Sequence, residues 1–99
     1  MINDTLIRIV GQGSGFDVLC SINHSKTKSL HSQPGYITRI RFDVNDSPVM
    51  QIDLGPNLPD NPVIGIYLTA LERNDRVSVI WNDTFGAKGS AATSLATQS

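Results

Sequence analysis

An antiparallel β-sandwich of about seven strands is the fold this sequence predicts, and three observations predict it. Apolar residues alternate with polar ones along most of the chain, as they do on a half-buried strand. Turn residues interrupt the alternation at intervals of roughly 8 to 12 positions, the spacing of a sandwich. Helical spacing of apolar residues is sustained nowhere over more than about two turns.

Thr5 to Val10 is the first expected strand, too short to show a clear face, and Gly11-Gln12-Gly13-Ser14-Gly15 breaks it into a hairpin. Next, Phe16, Val18, Cys20 and Ile22 point one way while Asp17 and Ser21 point the other. Residues 23–35 are polar, and 13 residues without a core pattern is long for a compact domain. Alternation resumes with Tyr36, Thr38, Ile40, Phe42 and Val44 inward and Arg39, Arg41 and Asp43 outward. Asn45-Asp46-Ser47 tolerates left-handed backbone angles and predicts a hairpin. The return strand then has Met50, Ile52 and Leu54 inward and Gln51 and Asp53 outward.

Between Gly55 and Pro62, Pro56, Pro59 and Pro62 each fix φ and remove a backbone donor. The segment is therefore expected to cross from one sheet to the other. Val63 to Leu71 is apolar on both faces, which predicts cover on both sides, by the second sheet and by a partner. Asn74-Asp75 closes a turn, and Val77, Val79 and Trp81 face the core opposite Arg76, Ser78 and Asn82. A turn over Asn82 to Gly86 leads to a weak last edge strand over Ala91 to Ala96. The expected core is Phe16, Val18, Ile22, Ile40, Phe42, Ile52, Ile66, Leu68, Val77, Val79 and Trp81. Strand number and hairpin connections together predict an immunoglobulin-like sandwich, one domain over residues 1–99.

Composition narrows the function. With 39% hydrophobic and 17% charged residues, the chain has too little charge for disorder and enough apolar surface for one core. A net charge of −1 argues against non-specific nucleic-acid binding, which needs a basic surface. The only basic cluster, Lys26 and Lys28, reads as a solvated loop. No apolar stretch approaches the roughly 20 residues of a membrane helix, so no membrane partner is expected. The first residues carry neither the basic nor the apolar region of a secretory signal.

Candidate chemistry is thin. Cys20 is the only cysteine, so no internal disulfide forms, and its phase with Val18 and Ile22 predicts a buried, inert thiol. His24 and His31 do not combine with Cys20 at any zinc-ligand spacing, and no cofactor is expected. The glycine-rich Gly11 to Gly15 precedes a strand rather than a helix, so it lacks the free amides of a phosphate loop. The acidic residues lie singly in turns and on outward faces, with no pair spaced for acid–base work. The chain is not expected to be an enzyme.

Residues 42–86 carry a more specific pattern. A hairpin turn at Asn45, a proline-containing connection ending in Asn61-Pro62, and a last hairpin with Trp81, Asp83 and Gly86 occur in that order. Asn74-Asp75 stands where a Gly-Asp turn would precede the tryptophan strand. This pattern resembles the SoxZ family of bacterial thiosulfate oxidation. His24 also matches that family's histidine at the end of the second strand, although the Pro-Met that follows it there is absent.

The resemblance implies a binding function. SoxZ proteins pair with SoxY, whose C-terminal cysteine on a glycine-rich arm holds the sulfur substrate. The present C-terminal residues, Ser94 to Ser99, include no cysteine, which sets the chain apart from SoxY. It is thus expected to be a non-catalytic subunit of a heterodimeric carrier complex on which other sulfur-oxidation enzymes dock transiently. Family members are periplasmic, exported with a signal-bearing SoxY. His24, Lys26, Asn61, Pro62 and Tyr67 are the expected partner-binding residues. A generic immunoglobulin-like recognition module attached to another enzyme is the alternative.

Overall fold

The computed structural model describes residues 5–22, 36–55 and 62–96. They form seven strands: β1 (Thr5–Gln12), β2 (Gly15–Ile22), β3 (Ile37–Val44), β4 (Ser47–Asp53), β5 (Val63–Leu68), β6 (Val77–Asp83) and β7 (Lys88–Thr93). A three-stranded sheet has the order β1-β2-β5, and a four-stranded sheet the order β4-β3-β6-β7. Every pairing is antiparallel. The order differs from that of an immunoglobulin constant domain in the fourth strand, which pairs here with the third. The chain changes sheet after β2, β4 and β5. The second change is the one expected of the proline-rich segment, whose residues 56–61 lie outside the described residues.

Between the sheets lie Ile9, Val18, Cys20 and Ile22 from one side and Ile37, Ile40, Phe42, Val77, Val79 and Trp81 from the other. Phe16, Ile52, Ile66 and Leu68 pack against this centre as a half-buried margin. Alternation thus places the core correctly in β2, β5 and β6. It fails in β3, where Ile37 rather than Tyr36 or Thr38 is buried. The register between β3 and β6 shifts between Ile37 and Arg39, and this bulge puts Ile37 and Ile40 on one face although they are not an even number apart.

Other expectations need correction. Asp43 was expected outside, yet only 4% of it is exposed. It lies beside a second register shift and is covered by Arg41, whose guanidinium donates to both its carboxylate oxygens at 2.9 and 3.1 Å. Met50 was expected inside, yet 45% of it is exposed. The three-stranded sheet is aligned with β1 against β7, so the wider sheet overhangs at β4 and leaves Met50 without cover, while Val49 is the residue skipped at the register shift. The last strand is Lys88–Thr93, earlier than Ala91 to Ala96, because Lys88 and Gly89 pair with Asn82 and Trp81. Gly89 carries no apolar signal, but a Cβ there would fall into the Trp81 ring.

The hairpin turns follow the sequence closely. Asn45 and Asp46 have φ of 51° and 67°, the left-handed pair that a two-residue turn between twisted strands requires. Asn45 also clamps a neighbouring turn. Its amide nitrogen donates to Asp75 Oδ1 at 2.9 Å, and its Oδ1 accepts from the Arg76 amide at 2.9 Å.

Candidate partner-binding face

β5 is an edge strand, and its ladder with β2 places its side chains alternately on the two faces of the sheet. Ile64, Ile66 and Leu68 turn inward. Val63 and Tyr67 turn outward, with 66% and 48% of their surface exposed. The strand ends at Leu68, not Leu71, and its outer face is exposed among the described residues.

Register extends this face across the sheet. Leu6, Ser21 and Val63 form one outward row, Arg8, Leu19 and Gly65 the next, and Val10, Asp17 and Tyr67 the third. Five of these nine positions carry large apolar or aromatic side chains, and Leu6 is 68% exposed. Leu19 lies against Gly65, where an added Cβ would meet its Cδ2 at 2.9 Å. Tyr67 leans along the sheet over Gly15, and its hydroxyl donates to the Gln12 carbonyl at 3.0 Å. The outer face of the four-stranded sheet is different in kind. Arg39 pairs with Asp53 at 3.0 Å and Arg41 with Asp43 at 2.9 Å, so its charges are largely matched within the sheet.

Of the partner-binding residues expected from sequence, Tyr67 lies on the apolar face. Pro62 stands at its rim, buried, with its carbonyl accepting from the Ile22 amide at 3.1 Å. His24, Lys26 and Asn61 lie outside the described residues. Leu6, Val10 and Leu19, which the sequence did not single out, share the apolar face. Leu6 to Val10 carries apolar residues at both phases, like β5, but only the register places Leu6, Val10 and Leu19 beside Val63 and Tyr67.

The motif residues hold the scaffold. The Trp81 indole donates to Thr5 Oγ1 at 2.8 Å in a buried bond between the two sheets. Asp83 Oδ1 accepts from the Phe85 and Ala87 amides at 2.9 and 2.8 Å, and Gly86 has φ of 84°. Asp75 is held below the usual carboxylate range, first by the Glu72 amide and then by the Asn45 amide.

Cys20 is fully buried, and burial raises its thiol from an ordinary 9.0 to about 11. A buried thiol with a raised pKa carries little thiolate at neutral pH, which makes it a poor nucleophile. Slow reaction of the folded chain with a thiol reagent is expected, against rapid labelling after unfolding. The unfolded thiol loses its proton near pH 9 and the folded one only near 11, so stability falls as pH rises through that window. The loss is about 2–3 kcal/mol, and Cys20→Ala removes this part of the pH dependence. Denaturant titrations between pH 8 and 11 measure it.

A family model described as "Sulphur oxidation protein SoxZ" matches residues 13–94 of the 99-residue chain. None of the curated proteins matches.

Proposed function

Because the chain belongs to the SoxZ family of sulphur oxidation proteins, we propose that it is the non-catalytic subunit of a carrier complex. On this reading it pairs one-to-one with a SoxY-type subunit that holds the sulfur substrate. The outer face of the β1-β2-β5 sheet is the contact surface.

The observation that carries this reading is the contrast between the two outer faces. Leu6, Val10, Leu19, Val63 and Tyr67 gather on one sheet, while the other matches arginine to aspartate. A concentrated apolar face on a small domain marks association. A central apolar patch with charges at the edge, here Arg8 and Asp17, is the anatomy of a stable interface. An obligate pair on this face would bury on the order of 1,500 Å² or more.

The non-catalytic role fits the fates of the chemistry-bearing residues. Cys20 is a core residue with a raised thiol, and Asp43, Asp75 and Asp83 are committed to arginine and backbone partners. The family's place of work makes the periplasm the proposed location, reached together with the partner. Co-expression with a SoxY-type subunit tests the reading. A one-to-one complex that persists through size exclusion is expected, and two proteins that elute separately would overturn it.

A further inference from the structure

The ladder between β2 and β5 fixes where every backbone group of β5 points. Ile22 N–H donates to the Pro62 carbonyl, and these two residues are directly opposite each other in the register. Antiparallel pairs alternate between hydrogen-bonded and non-bonded. The bonded pairs are therefore Cys20 with Ile64, Val18 with Ile66 and Phe16 with Leu68. At Val63, Gly65 and Tyr67, opposite Ser21, Leu19 and Asp17, the N–H and C=O groups turn away from β2 toward the outer edge of the sheet. No described strand pairs with that edge.

The other sheet edges are guarded. β4 carries Pro48, Asp53 and a register shift, β7 carries Lys88, and β1 carries Arg8 and lies against β7. Such features keep an edge from pairing with foreign strands. β5 reads Val-Ile-Gly-Ile-Tyr-Leu, with no charge, no proline and no bulge in its ladder. The residues whose backbone groups face the edge are also those whose side chains lie on the proposed contact face.

We infer that β5 is an acceptor edge, and that the partner subunit docks by adding an extended, uncharged strand to it. Resting on the proposed pairing, this specifies its mode: backbone hydrogen bonds from Val63, Gly65 and Tyr67, with the partner continuing across the Leu6–Leu19–Tyr67 face. Strand addition takes its affinity from the main chain and its selectivity from alternate side chains. Gly65 suits such an edge, since it adds no side chain of its own beside the incoming strand.

Residue-resolved amide hydrogen exchange tests the inference, on the chain alone and in its complex with a co-expressed SoxY-type subunit. In the isolated chain the amides of Ile64, Ile66 and Leu68 are protected, and those of Val63, Gly65 and Tyr67 exchange rapidly. In the complex these last three slow by at least about 100-fold, because a ladder amide must now open before it exchanges. Val63→Pro, which removes an edge donor without touching the β2 ladder, weakens the complex at least about tenfold, whereas Val63→Thr, which keeps the N–H, does not. A complex whose Val63, Gly65 and Tyr67 amides still exchange as in the free chain overturns strand addition and leaves the pairing intact. Absence of any complex overturns both. Protection of the same amides in the isolated chain, growing with concentration alongside a dimer mass, assigns the edge to a second copy and overturns the partner strand.

Discussion

Trp81→Ala is expected to destabilise the fold by about 3–5 kcal/mol, the range for truncating a buried aromatic side chain. Three losses combine. The ring fills the core beside Val77 and Val79, and its surroundings are built from β-strand backbone that collapses poorly into a void. Gly89 on β7 is shaped to receive the ring, and nothing there can expand to replace it. The indole N–H bond to Thr5 ties β6 in one sheet to β1 in the other. Trp81→Phe separates these terms, because it keeps most of the volume and loses the bond, a change of roughly 1 kcal/mol from the hydrogen bond alone. Chemical denaturation of both variants measures the two costs. A loss below about 1 kcal/mol for the alanine variant would contradict the packing described here.

Val63→Asp is expected to weaken the complex with a SoxY-type subunit by about 30-fold or more, equivalent to a hot-spot loss of roughly 2 kcal/mol. Val63 is 66% exposed in the isolated chain, so an aspartate there stays hydrated and the fold is retained. Docking would strip that water from the carboxylate and surround it with Leu6, Ser21 and the partner, with no cation in its own row to pair with it. Tyr67 is a poorer site for the same experiment. Its hydroxyl bonds the Gln12 carbonyl and its ring covers Gly15, so Tyr67→Asp also disturbs the β1–β2 turn. Calorimetric titration gives the affinity, and a thermal melt of the free variant confirms its fold. Unchanged affinity in a folded Val63→Asp variant would place the interface elsewhere.

Where the strands were legible in sequence, the reason was simple alternation against one core. Phe16 to Ile22 and Val77 to Trp81 keep that rhythm without interruption, and both strands sit at the centre of their sheets. The turn at Asn45-Asp46 was legible because few residues accept its backbone angles. What sequence concealed was set by neighbours distant in the chain. The bulge near Ile37 follows from pairing with β6, and the overhang that exposes Met50 follows from the unequal widths of the sheets. The strand character of Lys88 and Gly89 comes from Trp81 across the ladder. The proposed contact face was half legible: Val63 and Tyr67 stood out in a doubly apolar strand. Leu6 and Leu19 join them only through registers that no local pattern specifies.

Side-chain footprinting of the complex by hydroxyl radicals tests the central claim most directly, because it reports which apolar residues lose water when the partner binds. Exposed hydrophobic side chains stand at both ends of the comparison. Leu6, Val63 and Tyr67 lie on the β1-β2-β5 face, while Val49, Met50 and Phe85 lie on or beyond the other sheet. Labelling of the first three is expected to fall several-fold on complex formation, with the second three unchanged. Protection of Val49, Met50 and Phe85 with Leu6, Val63 and Tyr67 still labelled would contradict the account.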